Sequence, residues 1–150
     1  MKKFNLILIF LIFTVVSAFS QVHNPVEWTV GSKKINSKEA VVFIKANVES
    51  GWHIYGTSVP AGGPVSTKFT FQPSKEFSVN GKTVEPKAKK KFEDVFKMEV
   101  PYHDGEAIFQ QKVKLNSNKP VTVSGTVEFM ACDKSQCLPP DEYSFKVTVK

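Results

Sequence analysis

Read for apolar and polar positions, the chain after its first twenty residues alternates with a period of two almost from end to end. Nowhere does it show the three-to-four spacing of a long amphipathic helix. In Val65-Ser66-Thr67-Lys68-Phe69-Thr70-Phe71 the odd positions are mainly apolar and the even ones polar, which predicts one buried and one wet face. The same parity separates Val121, Val123, Val127 and Phe129 from Thr122, Ser124, Thr126 and Glu128. It also separates Tyr143, Phe145, Val147 and Val149 from Ser144, Lys146, Thr148 and Lys150. Further strands are expected over Val26–Val30, Ala40–Val48, Val95–Val100 and Ala107–Leu115.

Turn chemistry punctuates these runs at Glu49-Ser50-Gly51, Pro60 to Pro64, Asn80-Gly81, His103-Asp104-Gly105 and Asn116-Ser117-Asn118. About seven to nine short strands, each with one wet face, point to an all-β, immunoglobulin-like two-sheet sandwich. A small barrel is the alternative architecture. No internal repeat or low-complexity linker divides the chain, so residues 21–150 are expected to form one domain.

The first twenty residues follow different rules. Lys2 and Lys3 precede an apolar run from Leu6 to Val16, and small residues follow at Ala18 and Ser20. The run is shorter than the ~20 residues of a membrane span, so residues 1–20 read as a cleaved signal peptide. An uncleaved N-terminal anchor is the rival reading. Cleavage would remove two lysines and lower the formal charge of +6 by two, so charge alone says little about partners. The densest basic stretch, Lys87-Ala88-Lys89-Lys90-Lys91, reads as a solvated loop or a blunted strand edge. Without interleaved aromatics it does not read as a nucleic-acid site.

Export changes how the two cysteines, Cys132 and Cys137, are read, because an oxidising compartment favours a disulfide. A loop of about six residues is worth roughly 2 kcal/mol as a staple, against nearly 5 for a loop of about 100. Alternation puts Ala131 on the inward parity and Cys132 at the strand's exit, so the pair does not bridge facing sheets as an immunoglobulin disulfide does. Structural hairpin disulfide and exchangeable disulfide both remain open at this point. A third possibility is a Cu(I) carrier using Cys132, Cys137, Met130 and His53. Hydrolysis finds no recognisable nucleophile setting.

The segment Met130-Ala131-Cys132-Asp133-Lys134-Ser135-Gln136-Cys137-Leu138-Pro139-Pro140-Asp141 resembles the active-site segment of the N-terminal periplasmic domain of DsbD, the thiol:disulfide interchange protein. Gly51-Trp52-His53-Ile54-Tyr55 and Phe92-Glu93-Asp94-Val95-Phe96 resemble that family's aromatic strand and its acidic-aromatic cap loop. The resemblance implies an immunoglobulin-like domain relaying electrons by thiol–disulfide exchange in the periplasm. Cys137 would form the mixed disulfide with a partner and Cys132 would resolve it. Phe96, or Val95 if the alignment slips by one, would cover the pair. Glu93 and Asp94 would place negative charge near the sulfurs and raise the thiol pKa. Tyr55 and His53 would line the site, His53 standing where the family commonly has tyrosine, and Trp52 is expected in the core. No cofactor or metal is implied.

Two departures accompany the resemblance. The cysteines are separated by four residues, one fewer than in the best-known members. The chain also stops after the sandwich, so a thioredoxin-like or membrane electron donor and the thiol–disulfide acceptors are expected to act in trans. The runner-up is an exported binding module that recognises its target through Trp52, Tyr55 and the Gly62-Gly63 loop, with a purely structural disulfide.

Overall fold

Alternation becomes burial strand by strand in the structure, a computed structural model that describes residues 23–150. The proposed signal peptide, residues 1–20, lies outside the described residues. Eleven strands follow in order: β1 (Val26–Lys34), β2 (Glu39–Val48), β3 (His53–Tyr55), β4 (Lys68–Phe71), β5 (Phe77–Val84) and β6 (Lys89–Glu93). The remainder are β7 (Met98–His103), β8 (Glu106–Leu115), β9 (Val121–Phe129), β10 (Ala131–Cys132) and β11 (Asp141–Val149). All pairings are antiparallel, and no helix occurs among the described residues.

The strands form three hydrogen-bonded sheets, in the orders β1-β2-β8-β5, β10-β3-β7-β6 and β11-β9-β4. Only Met130 separates β9 from β10, so one run of chain joins the third sheet to the second. The first and third sheets face each other across the main core, which includes Trp28, Ile44 and Phe109 on one side and Val123, Val127 and Phe145 on the other. Each such side chain taken out of water contributes on the order of 2 kcal/mol. The second sheet lends Ile54 and Ala131 to this core. The result is an immunoglobulin-like β fold.

Two local differences from expectation have physical causes, and the lysine-rich stretch takes one of its two expected forms. Asn80-Gly81 lies inside β5 rather than ending a strand, at a register irregularity between Asn80 and Val84 where Gly81 takes φ 75°. Gln111, buried on the inward parity of β8, stabilises that irregularity. Its amide donates towards the carbonyls of Asn80 and Gly81, and its oxygen accepts from the Thr83 hydroxyl at 2.8 Å. The expected strand Val95–Val100 begins only at Met98, because residues 94–97 turn the chain from β6 into β7 and Lys97 adopts φ 52°. The lysine-rich stretch is itself strand β6, the edge of the second sheet, with Lys89 paired to Asp104 at 2.6 Å and Lys90 to Glu99 at 3.1 Å. Its charge is thus largely answered locally, which fits a guarded edge better than a basic docking patch.

Candidate functional site

Register alone decides which side chains share a face with Cys132. β10 pairs with β3 so that Ala131 opposes Ile54 and Cys132 opposes His53. Ala131 and Ile54 point into the main core, so Cys132 and His53 point to the other face. The next pairings add Tyr55 opposite Tyr102, Lys91 opposite Val100, and Glu93 opposite Met98. Odd positions of the lysine strand therefore look onto the cysteine, and even ones such as Phe92 look away. On this face Tyr55, Val100 and Cys132 form a small buried cluster of their own, with Val59, Met98, Tyr102 and Met130 packed against it.

Cys132 and Cys137 form a disulfide with Cα atoms 4.0 Å apart. Cys132 is 1% exposed, whereas Cys137 stands exposed in the loop. Asp133 organises that loop. Its carboxylate accepts from the backbone N–H of Ser135 at 2.6 Å, from that of Gln136 at 2.8 Å, and from the Ser135 hydroxyl at 2.9 Å. These donors hold the Asp133 carboxyl below its usual range. The Asp133 N–H donates to Gln136 O and the Leu138 N–H to Ala131 O, both at 2.9 Å, closing the loop onto the strand. Asp followed two residues later by Ser is a turn-forming pattern, and it is the sequence signal for Asp133's role in the loop.

A charged network surrounds the buried sulfur. The Tyr55 hydroxyl lies 3.2 Å from Cys132 Sγ and 3.2 Å from Glu93 Oε2, so its single proton has two acceptors within reach. Burial first, and Glu93 second, push the phenol above its ordinary value. Lys91 Nζ reaches the Glu93 carboxylate at 2.6 Å and donates to His53 Nε2 at 2.8 Å. It also lies 5.9 and 5.8 Å from the ring centroids of Tyr55 and Tyr102, within cation–π range. Burial, with Lys91 adding to it, lowers His53 to about 4. At neutral pH His53 is therefore an uncharged acceptor, packed edge-on against both tyrosines.

Of the residues singled out from sequence, Cys132, Tyr55, His53 and Glu93 converge on this face. Asp94, Val95 and Phe96 sit in the β6–β7 turn, where Val95 is 81% exposed and Phe96 half-buried. The side chains packed on the cysteine cluster are Val59, Met98, Tyr102 and Met130, and Phe96 is not among them. Trp52 is buried in the main core, as expected. The sequence places Lys91 in a solvated loop or strand edge, and its parity with Glu93 is the signal that turns it inward.

The loop after β3 closes the face. Gly63 sits so near Met98 Sδ and Val59 Cγ1 that a side chain there would collide with both, so the Pro60–Pro64 turn lies directly on residues that pack around Cys132. Glu85 anchors the start of that loop. It accepts from the Thr57 N–H at 2.9 Å and lies 3.2 Å from His103 Nε2. Burial alone would raise the Glu85 carboxyl, but these partners outweigh it and hold it below its ordinary value. Among the described residues, no group of three or more His, Cys, Asp or Glu side chains is arranged to hold a metal ion.

The family model for the N-terminal domain of the thiol:disulfide interchange protein DsbD matches residues 25–149. Comparison with curated protein sequences gives no match. Among solved structures, the N-terminal periplasmic domain of ScsB from Proteus mirabilis is similar, with a TM-score of 0.60 and 18% identity over 83% of this chain. This chain spans about half of that one, 46% of its length. The N-terminal domain of Neisseria meningitidis DsbD in the reduced form gives a TM-score of 0.52 at 14% identity, covering 80% of this chain and 84% of that one. The same domain in complex with the PilB N-terminal domain gives 0.54 at 12%, covering 84% and 87%.

Proposed function

Because this chain belongs to the family of DsbD N-terminal domains, we propose that it is an exported, periplasmic carrier relaying electrons by thiol–disulfide exchange through Cys132 and Cys137. A thioredoxin-like or membrane-bound donor would supply the electrons in trans, and exported thiol–disulfide proteins would accept them. The observation that carries this reading is the asymmetry of the pair, an exposed Cys137 bonded to a Cys132 that is 1% exposed. Exchange needs one sulfur open to in-line attack and a second close behind it.

A donor thiolate attacks Cys137 Sγ, the Cys132–Cys137 bond breaks, and Cys132 leaves as a thiolate beside the Tyr55 hydroxyl. The donor's second thiolate then attacks the donor sulfur of the mixed disulfide and frees Cys137, leaving the donor oxidised and the domain reduced by two electrons. Transfer onward reverses the roles: Cys137 attacks the acceptor's disulfide, and Cys132 closes back onto Cys137 and expels the acceptor as a dithiol. Glu93, Tyr55 and His53 line the sulfur that is never exposed. The turn bearing Asp94, Val95 and Phe96 would act as a cap only by closing over the pair, since neither Val95 nor Phe96 packs on the Cys132 cluster. The complex of the Neisseria domain with PilB supports a partner that docks as a folded domain.

Cys132→Ser should accumulate a mixed disulfide through Cys137 when incubated with an oxidised partner or an envelope extract, visible by non-reducing electrophoresis. Cys137→Ser should abolish turnover, and unchanged turnover in that variant would sink the mechanism. A reduction potential below about −300 mV would return the pair to a structural role. Of the surface the binding-module alternative would use, Tyr55 and Trp52 are 0% and 8% exposed, which leaves it only the Gly62-Gly63 loop.

A further inference from the structure

Both directions of exchange place negative charge on Cys132, as leaving group when the disulfide opens and as nucleophile when it closes. That sulfur is buried, and the nearest formal charge reaching it through Tyr55 is the Glu93 carboxylate, itself negative. Two anions sharing one phenolic proton in a desolvated site would oppose the reaction in either direction. Lys91 removes that difficulty. Its side chain is 28% exposed, and its ammonium lies 2.6 Å from Glu93 and 2.8 Å from His53, over the faces of Tyr55 and Tyr102.

Resting on the exchange reading above, we propose that Lys91 is a positioning residue for that chemistry: by neutralising Glu93 it leaves the Tyr55 hydroxyl free to donate to the Cys132 thiolate. In the disulfide state the bonded sulfur is a weak acceptor and Glu93 holds the phenolic proton. When the S–S bond breaks, Cys132 becomes the stronger acceptor, and the hydroxyl turns 3.2 Å away to it without leaving an unpaired carboxylate, because Lys91 remains on Glu93. The other titratable groups facing the sulfur fit this division. His53 from β3 is neutral and already engaged by Lys91, Tyr102 from β7 lies beneath the same ammonium, and Asp133 spends its carboxylate on its own loop.

The test follows Cys132 alone, in Cys137→Ser, by the ultraviolet absorbance of its thiolate against pH. Adding Lys91→Met should raise the midpoint by about one unit or more, a tenfold loss of thiolate at fixed pH. Lys91→Arg should restore most of it. Adding Glu93→Gln to Lys91→Met should bring the midpoint back, which a purely structural role for Lys91 would not do. Should Lys91→Met fail to fold, Glu93→Gln alone carries the test with the opposite sign, lowering the midpoint. A midpoint indifferent to Lys91→Met, or to Glu93→Gln, overturns the proposal.

Opening of the intact disulfide by glutathione separates the two levels of argument. Slow opening in the unaltered protein is a failure of the exchange reading itself. Rapid opening that Lys91→Met leaves unchanged is a failure of the role given to Lys91 alone. Rapid opening slowed about tenfold by Lys91→Met supports both.

Discussion

His53 illustrates how much of the site's chemistry resides in single side chains. Burial and Lys91 lower its pKa from 6.5 in the unfolded chain to about 4. Between those values the unfolded state binds the extra proton, so stability falls as pH drops through that window. Glu85, held below its ordinary value, adds stability that is lost only as pH falls further, through its folded pKa. Urea midpoints should therefore decline from pH 7 to pH 4.5, and His53→Gln should flatten the upper part of that decline. An equal decline in the variant would show that His53 is not protected. Cys132, Cys137, Tyr55 and Glu93 could be picked out beforehand because each stands in a recognisable motif. Lys91 and Asp133 could not, for opposite reasons. Lys91 belongs to a run of like residues in which only the pairing register distinguishes the inward lysine, and Asp133 acts through a loop whose closure depends on backbone donors.

Strands with one buried face are the ones alternation finds, and β9 is the clearest case. Its inward positions Val121, Val123, Val127 and Phe129 are all buried. Gly125 shares their parity for a different reason. It opposes Phe71 on one side and Phe145 on the other, whose rings lie 5.5 Å apart, and a Cβ there would come within 2.8 Å of Phe145 and strike the Thr70 carbonyl. Gly125→Ala should cost about 2 kcal/mol or more in urea unfolding, and a loss under about 0.5 kcal/mol would mean that the strands can part to admit a methyl. The edge strands β5 and β6 escaped the pattern. β6 is mostly lysine, β5 is exposed along most of its length and carries a glycine at its irregularity, and neither shows the period that burial imposes. Phe96 continues the apolar alternation of Met98 and Val100 on paper, yet the turn that joins β6 to β7 takes it out of the sheet, with Val95 beside it.

For the molecule as a whole, the main core and the cluster around Cys132 are separate, joined through a second sheet that shows one face to each. The disulfide bridges residues only five apart and lies on the face away from the main core, so it does little to hold the sandwich together. Reduction should leave the far-ultraviolet dichroism unchanged and lower stability by about 2 kcal/mol, or about 7 °C in Tm. Global unfolding on reduction would contradict this separation. The loop's own hydrogen bonds, from Asp133 to Ser135 and Gln136 and from Leu138 back to Ala131, do not involve the sulfurs. None of them depends on the S–S bond, so they should persist when it opens. In kinetic terms, Cys132 is then present at Cys137 at an effective concentration far above that of any thiol in solution. On the proposed mechanism, a partner captured through Cys137 would be expelled soon after it arrives, and traffic would be set by how often partners meet the protein.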